Sequence, residues 1–387
     1  MAGADGAAAA AAAFAAPGGE DGPRVISGAG PSAASLATAD IEAELDRKTE
    51  LTPEEWVKAT IDIRDVTETK AFGRSVVKVY FNMYVNGEFY RGYRYSEIHK
   101  LRGNLKKIDE AHMKKAPKYP EKSRVSFGAA SPEQVEQRRK LFGPWLDHVA
   151  KSLKIASSEE WKTFTLNQPD YKEIEAEMLQ KVGDIEKISE DQWTETANKK
   201  GVKVSTLKQP DSKLHVVKTF VTVQVPLAKV LETYNTKAEW THWQPDMKVC
   251  KTIELLEGVS ELAMPVKEVL YAAYRVPVLS NRDVCLYGYR FMGTPADRNA
   301  PGVSTSLSMS MMHPSCPHVK NIVRGYLNIG VTYFREIDGG KGTSVTSVLH
   351  MDPRGLIPPS LINTMAAHTV GTIVDMKDYM EKKYCAA

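Results

Sequence analysis

The run at positions 93–98, Tyr-Arg-Tyr-Ser-Glu-Ile, has side chains well suited to hold a phosphorylated group. Arg94 carries a rigid planar guanidinium that matches phosphate oxygens through two parallel hydrogen bonds. Tyr95 beside it offers a ring face for a sugar or an inositol. We predict that a strand gives way to a helix at this run.

Two downstream segments supply further cations for the same kind of ligand. Lys122 follows Pro120 on a stiffened loop, and Arg138 and Arg139 lie about two turns into a predicted helix. That helix opens with Ser-Pro-Glu-Gln at 131–134, in which Ser131 and the glutamine can satisfy the free amides of the first turn.

The charge of the chain is concentrated around these segments. Between Arg91 and Lys154 there are sixteen Lys or Arg against seven Asp or Glu, although the whole chain carries only +3. A segment this basic suits an anionic partner, but a solvated basic face explains the charge alone equally well. We expect no nucleic-acid partner, because Tyr95 stands beside one arginine and not in an aromatic platform.

Apolar patterns and helix-breaking residues predict the strands and helices around these cations. Asn86-Gly87 is a strong hairpin signal between two apolar runs. A break at Gly143-Pro144 is expected to kink or restart the helix that Ser131 opens. The predicted strands are 59–66, 75–85 and 88–95, and the predicted helices are 96–114 and 132 to about 155.

This order of elements and motifs resembles the phox-homology (PX) domain over residues 53–155. The resemblance implies that Arg94 binds the 3-phosphate of a phosphatidylinositol and that Tyr95 stacks on the inositol ring. It further implies that Lys122 meets the 1-phosphate and Arg138 the 4- and 5-positions, with Arg139 as the alternative register. The implied partner is phosphatidylinositol 3-phosphate or a related phosphoinositide.

Val125 and Phe127 lie between the proline-containing loop and the helix. In PX domains this loop dips into the bilayer, so both residues are candidates for membrane insertion. Burial of one Phe contributes about 1.5–3 kcal/mol, and each nearby Lys or Arg adds about 1 kcal/mol on an anionic leaflet. Together with head-group binding these contributions favour reversible recruitment to a membrane.

The apolar pattern of the second half of the chain predicts an antiparallel sheet closed by a helix. In the strand from Val303, serines at 304, 306, 308 and 310 alternate with Thr305, Leu307, Met309 and Met311, so one face is hydroxylated and the other largely apolar. The helix after Pro359 carries an apolar stripe. The predicted strands are 215–225, 247–256, 264–274, 284–291, 303–312, 326–336 and 343–351, with a helix at 226–239.

Three motifs in this half are similar to signatures of the START lipid-transfer family from about residue 170 onward. They are Asn-Arg-Asp at 281–283, the segment 352–358, and a Trp pair at Trp240 and Trp243. The resemblance implies a helix-grip fold with one lipid between the sheet and the last helix. We expect Arg282 and Asp283 to form a structural ion pair and both tryptophans to be core residues. Candidate tunnel residues are Leu307, Met309, Met311, Met365, Thr369 and Ile373, and methionines at such positions are more often core residues than ligand contacts.

The expected fold is therefore α+β, with a PX fold followed by a helix-grip START fold. The Ala- and Gly-rich residues 1–48 are expected to be a disordered tail, because they carry too few apolar side chains to form a core. The expected domains are 53–155 for the PX fold and 170–387 for the START fold, with a linker at 156–169.

The sequence favours a binding protein over an enzyme, without cofactor or metal. The nine histidines are scattered, and His313 and His318 lack a third metal ligand. No run approaches 18 apolar residues, and four distant cysteines suit a reducing cytosol. We expect a cytoplasmic peripheral membrane protein that carries one small lipid and binds reversibly to endosomal or other phosphoinositide membranes. A tethering adaptor without lipid cargo and a helix-grip enzyme remain the alternatives.

Overall fold

The computed structural model divides the chain into two compact units. The smaller unit comprises residues 44–169 with 312–318, and the larger unit comprises 1–43, 170–311 and 319–387. The structure describes residues 38, 41, 51–70, 77–120, 131–166, 169–209, 214–260, 264–276, 280–313, 315–316, 319, 321–354, 357 and 359–385. The predicted tail at 1–48 lies almost entirely outside the described residues.

The smaller unit contains an antiparallel three-stranded sheet in the order β1-β2-β3. Its strands are β1 (Ile61–Lys70), β2 (Val77–Val85) and β3 (Glu88–Arg94). Asn86 and Gly87 connect β2 to β3 with φ of 52° and 88°. Positive φ at both central residues is typical of the type I′ turn that joins twisted strands, so the predicted hairpin is confirmed.

Six helices of the smaller unit are described. They are α1 (Pro53–Lys58), α2 (Tyr95–Leu105), α3 (Glu110–Met113), α4 (Pro132–Ala150), α5 (Leu153–Ala156) and α6 (Glu159–Leu166). The helix predicted at 96–114 is therefore two helices. A stacked histidine pair fastens α3 to α4, because the Nε2 atoms of His112 and His148 lie 2.8 and 3.1 Å from each other's backbone oxygens.

Helix α4 begins as the sequence predicts and continues where we expected a break. Ser131 Oγ accepts from the Gln134 amide at 3.3 Å, and Gln134 Oε1 accepts from the Ser131 amide at 3.1 Å. The helix then runs through Gly143 and Pro144 as one element. Gly143 permits a close approach to β1, since a Cβ at this position would lie 3.0 Å from the Ile63 amide nitrogen.

The segment 156–169 is not the linker that we expected, because part of it belongs to the core of the smaller unit. Trp161 and Phe164 on α6 are buried there. The Trp161 ring meets Trp56 at 5.4 Å edge to face, and the Phe164 ring stacks on Tyr93 at 4.1 Å. Since these aromatic contacts exclude water, α6 is part of the folded unit.

The larger unit is built on a ten-stranded sheet with the order β4-β5-β6-β13-β12-β10-β9-β8-β7, and β11 pairs in parallel with β9. Its helices are α7 (Tyr171–Glu186), α8 (Leu227–Tyr234) and α9 (Pro359–Cys385). Its strands are β4 (Thr194–Lys199), β5 (Val202–Leu207), β6 (Val216–Val223), β7 (Met247–Glu257), β8 (Val266–Tyr274), β9 (Asn281–Met292), β10 (Val303–Ser310), β11 (Ile322–Arg324), β12 (Tyr326–Ile337) and β13 (Gly342–Asp352).

The two faces of this sheet pack against different helices. The inner face shares a core with α9, in which Phe334, Val345 and Leu349 join Val370 and Ile373. The C-terminal helix therefore closes the sheet as predicted from its apolar stripe.

The outer face of the sheet contacts α7. Tyr287 Oη donates to Glu175 Oε2 at 3.1 Å, and Lys181 Nζ lies 3.3 Å from Met309 Sδ. Lys181 is buried and paired with Glu177 at 2.9 Å. Helix α7 thus covers the face opposite to α9.

Candidate functional site

The strand–helix junction at Arg94 has the geometry that the motif predicts. Glu97 Oε2 accepts from the Arg94 amide at 2.7 Å and caps the first turn of α2. The same oxygen lies 4.0 Å from Arg94 Nε, and Glu97 Oε1 lies 3.8 Å from Arg91 Nη2. One carboxylate therefore holds two arginines beside the helix N-terminus, with the Arg94 side chain 33% exposed.

The Tyr95 ring contacts both a cation and an imidazole ring. The Arg138 guanidinium is 4.1 Å from the Tyr95 ring centroid, within the range of a cation–π contact. The His99 ring stacks on Tyr95 at 5.6 Å, and Tyr95 Oη donates to the Pro120 carbonyl at 3.4 Å. Burial raises the pKa of the Tyr95 hydroxyl, and the Arg138 charge opposes this rise.

The two neighbouring arginines of α4 have different environments. Arg139 donates to Glu136 through Nε and Nη2 at 2.7 and 2.8 Å, and through Nη1 to the backbone oxygens of Ile63 and Arg64. These hydrogen bonds to Arg139 lower the pKa of Glu136 to about 2. Arg139 ties α4 to β1, which leaves Arg138 as the arginine that the structure brings to Tyr95.

Sequence reasoning missed two cations of this cluster. Arg91 is buried beside Glu97, and the Arg102 guanidinium lies 4.3 Å from the ring centroid of Tyr119. Arg102 follows Tyr95 by seven residues on α2, two helical turns along one face, which is a signal that the sequence contains. Arg91 faces Glu97 only because β3 and α2 meet at Arg94, which no local pattern shows.

The remaining predictions for this site concern residues outside the described part. Lys122, Val125 and Phe127 all fall within 121–130, which the structure does not describe. The structure places Arg138 on the ring of Tyr95, which directly follows Arg94 in the chain, and the proposed ligand-binding roles of all six residues stay predictions.

A second polar cluster lies on the inner face of the larger sheet. Glu268 Oε1 accepts from Arg290 Nη2 at 2.6 Å, and Glu268 Oε2 accepts from Lys237 Nζ at 3.0 Å and from Thr252 Oγ1 at 2.7 Å. Glu268 and Arg290 are buried, and the Lys237 side chain is 8% exposed. Buried charges are retained in folded proteins when they are paired in this way.

Hydroxyl groups continue this polar surface across β10. Strand pairing places Ser306 beside Arg290 on β9 and Thr332 on β12, and Thr332 Oγ1 lies 2.8 Å from Ser347 Oγ. Ser304 pairs with Phe334, which packs in the core around α9. The hydroxylated side of β10 therefore belongs to the inner face.

This register corrects the predicted tunnel lining. Met309 contacts Lys181 of α7, so Met309, and with it Leu307 two residues earlier, lies on the outer face. Met311 is buried just after the end of β10, and Ile373 is in the inner core, so contact of these two residues with a lipid stays a prediction. The side chains of Met365 and Thr369 lie outside the described residues. The prediction chose the apolar side of the strand, whereas the polar side faces α9.

Arg282 and Asp283 do not form the ion pair that we expected. Asp283 accepts from Arg324 at 2.7 and 2.9 Å, whereas Arg282 donates to the carbonyl oxygens of Ser280, Pro353 and Arg354. Successive strand residues point to opposite faces, which separates the two side chains. Burial lowers the pKa of Arg282.

The two tryptophans of the second motif are core residues, as predicted. Trp240 and Trp243 are buried, and their ring centroids lie 5.5 Å apart. In the described part of the chain, no helix meets the length and hydropathy needed to cross a membrane. No group of three or more potential metal ligands is found among the same residues.

Both parts of the chain match models of known domain families. The START domain model matches residues 156–386, and the PX domain model matches residues 84–168. No curated protein sequence matches the chain.

Solved structures similar to the chain include two human proteins and one from Xanthomonas axonopodis. Human STARD10 is 20% identical, with 57% of this chain and 82% of that chain covered and a TM-score of 0.45. Human StAR-related lipid transfer protein 5 is 14% identical, with 55% and 99% covered and a TM-score of 0.47. The STAR-related lipid transfer protein of Xanthomonas axonopodis is 20% identical, with 49% and 99% covered and a TM-score of 0.39. The START model spans more than half of the residues, so the chain belongs to the START family, with a PX domain ahead of its START domain.

Proposed function

We propose that this lipid-binding protein is recruited by its PX domain to membranes that contain 3-phosphoinositides, where its START domain takes up or delivers one lipid. PX and START domains are typically non-enzymatic lipid-binding modules, which agrees with a transfer function. The proposed location of the protein is the cytoplasmic face of endosomal membranes, where a monophosphorylated 3-phosphoinositide is expected.

The arrangement of Arg94, Tyr95 and Arg138 is the observation that carries the recruitment proposal. Arg94 supplies a fork for the 3-phosphate, and Glu97 fixes its backbone at the start of α2. Arg138 rests on the Tyr95 ring. In the proposed complex, an inositol ring replaces the Arg138 guanidinium on the Tyr95 face, while Arg138 moves to a ring phosphate.

Vesicle flotation with an Arg94→Gln variant tests recruitment. Hydrogen bonds to a charged group contribute about 1.5–3 kcal/mol, so the loss of this fork is expected to weaken binding to phosphatidylinositol 3-phosphate vesicles by roughly 10- to 100-fold. The assay uses the full chain and vesicles doped with one phosphoinositide at a time.

Arg64→Gln is the matched control. Arg64 lies in the same sheet, carries the same charge, and hydrogen-bonds to Asp62 and to the Gly87 carbonyl. This variant is expected to float like the parent protein. Equal loss of vesicle binding in both variants would indicate that binding depends only on the total charge of the protein. Full binding by Arg94→Gln would refute the assigned role of Arg94.

The cargo half of the proposal is supported by the polar inner face of the START sheet. A polar region lies within the otherwise apolar core around α9, formed by the Glu268, Arg290 and Lys237 cluster and the neighbouring hydroxyls. A small number of polar groups in an apolar pocket fixes the orientation of a ligand. Mass spectrometry of lipid retained by the purified full chain is expected to find one lipid per chain. An empty protein after incubation with vesicles would favour a tethering adaptor instead.

A further inference from the structure

We propose that the stacked imidazole pair of His112 and His148 is a pH-sensitive attachment, which holds helix α3 on α4 at neutral pH and releases it at acidic pH. This regulation rests on the proposed recruitment of the protein by its PX domain and makes that recruitment depend on pH. Three features carry it, namely the hydrogen bonds of the pair, the weak attachment of α3 elsewhere, and the charges around both rings.

The two imidazole rings lie face to face, and each ring donates to the backbone of the other residue. Their centroids are 4.2 Å apart, with 15° between the ring planes. His112 Nε2 lies 2.8 Å from the His148 carbonyl oxygen, and His148 Nε2 lies 3.1 Å from the His112 carbonyl oxygen. Because a carbonyl oxygen only accepts, each neutral ring carries its proton on Nε2, and Nδ1 is the atom that takes up a further proton.

Helix α3 depends on polar contacts for its attachment. None of its four residues is buried, and Met113 meets the core only as a partly buried side chain. Asp109, which caps the helix, accepts from the His112 amide at 3.1 Å and from Ser152 Oγ at 2.7 Å. Elements with little buried apolar surface open at low cost in free energy. Loss of the imidazole pair is therefore expected to release α3 while the rest of the unit stays folded.

The pair can accept one proton but not two without losing its geometry. Histidine changes charge in the range of about pH 5 to 8, and the protons of two interacting rings belong to the pair and not to either ring. The Asp109 carboxylate interacts with His112 and favours a single positive charge there. Two protons place like charges on rings 4.2 Å apart, and such charges repel each other more strongly in a protein than in water.

The other charged groups around the pair do not offset a second proton. Ion pairs within the two helices occupy the neighbouring acidic groups, namely Glu110 with Lys114 at 2.8 Å and Asp147 with Lys151 at 3.4 Å. The Ser152 hydroxyl and the His112 amide lower the pKa of Asp109, and Lys154 of the next helix acts in the same direction. Among the described residues, Asp109 is thus the carboxylate that remains for a histidine cation, and it can offset one charge only.

Release of α3 is expected to weaken the contact of the PX unit with a membrane. The chain runs from α3 directly to the predicted membrane contacts Lys122, Val125 and Phe127. A segment that is fixed at one end loses less conformational entropy when it binds. Vesicle binding should therefore be tighter while the imidazole pair holds α3, and weaker once both rings are charged.

Hydrogen exchange of the full chain at about pH 7.5 and about pH 5.5 measures the attachment directly. The amides of Met113 and Lys114 form hydrogen bonds within α3 at 2.9 and 3.0 Å. After correction for the intrinsic exchange rate, their protection is expected to fall by at least about tenfold at the lower pH, the ratio for about 1.4 kcal/mol. Equal protection of α3 at both pH values would overturn the inference.

His148→Phe separates repulsion within the pair from other effects of acid. The phenyl ring retains the stack, and His112 Nε2 retains its acceptor, because that acceptor is the backbone oxygen of residue 148. A charged His112 then rests on an apolar aromatic ring, which is a favourable cation–π contact. Protection of α3 is expected to change by less than about twofold between the two pH values, or to rise at the lower one. A fall as large as that of the parent protein would overturn the role of the pair.

Ser152→Ala is the matched control, because it removes the other hydrogen bond that holds α3 and leaves both imidazoles in place. This variant is expected to show lower protection of α3 at both pH values and the same tenfold dependence on pH as the parent protein. A loss of the pH dependence in Ser152→Ala would assign the effect to Asp109 and would contradict the imidazole pair.

Flotation with phosphatidylinositol 3-phosphate vesicles links the attachment to recruitment. The lipid phosphate also changes its charge near about pH 6, but equally for every variant. The parent protein is therefore expected to lose at least about threefold more binding than His148→Phe between the two pH values. Equal losses would overturn the link between the pair and recruitment. Failure of the parent protein to bind these vesicles at either pH would contradict the proposed PX function instead, and hydrogen exchange would still decide the role of the pair.

Discussion

Arg138 and Arg139 show how far two adjacent, identical side chains can differ in role. Arg139 forms hydrogen bonds with Glu136 and with the backbone of β1, whereas Arg138 rests on the Tyr95 ring. The motif left both arginines open as ligands. Tertiary contacts of α4 with β1 distinguish them, and these contacts cannot be predicted from the order of residues along one helix.

Substitution of each arginine separates binding from stability. Arg138→Gln is expected to weaken phosphoinositide vesicle binding by about 3- to 10-fold, in line with about 1 kcal/mol per basic residue at an anionic surface, while the free energy of unfolding changes by less than about 0.5 kcal/mol. Flotation and urea unfolding measure the two quantities on the same protein.

Arg139→Gln is expected to give the opposite pattern. Loss of its bonds to the Ile63 and Arg64 carbonyls should lower the free energy of unfolding of the PX unit by about 1–2 kcal/mol. The unfolding midpoint in urea is the readout, and flotation below that midpoint should be retained. If Arg139→Gln lost binding and kept stability, the assignment of the two arginines would be reversed.

At the scale of elements, the sequence predicts well where apolar periodicity and caps coincide. The Asn86-Gly87 hairpin, the Ser131 cap of α4 and the closing helix α9 all follow from local chemistry. Strand β4 was missed, because its residues Thr194–Lys199 form an exposed edge without apolar alternation. The predicted orientation of β10 was wrong, because alternation shows that the two sides of a strand differ but not which side meets α9.

Gly143 tests the packing of α4 on β1. Its Cβ would lie 3.0 Å from the Ile63 amide nitrogen and 3.1 Å from Asp62 Oδ1, so Gly143→Ala is expected to destabilise the PX unit by about 1–3 kcal/mol. Gly103→Ala on α2 is the control, because its Cβ would meet no atom within 4 Å. That variant is expected to gain up to about 1 kcal/mol through helix propensity. Thermal unfolding of both variants gives the comparison, and equal shifts would contradict the close helix–strand approach.

His350 on β13 gives the START sheet a pH dependence. Burial, with the positive charge of Lys181, lowers the pKa of His350 to about 4, whereas the pKa of an unfolded histidine is about 6.5. Between these values the unfolded chain binds a proton that the folded chain excludes, so stability falls as the pH decreases.

The expected loss for His350 between pH 7 and pH 5 is about 2 kcal/mol, an order-of-magnitude value. Hydrogen exchange of β12 and β13 peptides at both pH values measures it. The loss should be smaller in a His350→Gln variant, and an identical pH slope in both proteins would contradict a depressed pKa for His350.

At the scale of the whole molecule, the two units are expected to have separate roles, with the PX unit binding the membrane and the START unit carrying the lipid. The basic segment from Arg91 to Lys154, with sixteen cations against seven anions, lies in the PX unit, while the rest of the chain is mildly acidic. Such a distribution favours contact of the PX unit with an anionic leaflet and leaves the START unit without a strong charge attraction. Composition alone predicted this asymmetry, but the polar inner face required the strand register.

The most direct test of this account is lipid transfer between vesicles with and without phosphatidylinositol 3-phosphate in one population. The mass of lipid moved per minute is measured for the full chain and for Arg94→Gln. We expect phosphatidylinositol 3-phosphate to raise the wild-type rate by at least about tenfold, the ratio for about 1.4 kcal/mol of docking free energy, and to leave the variant rate unchanged. Equal acceleration of both proteins, or acceleration of neither, would contradict the account.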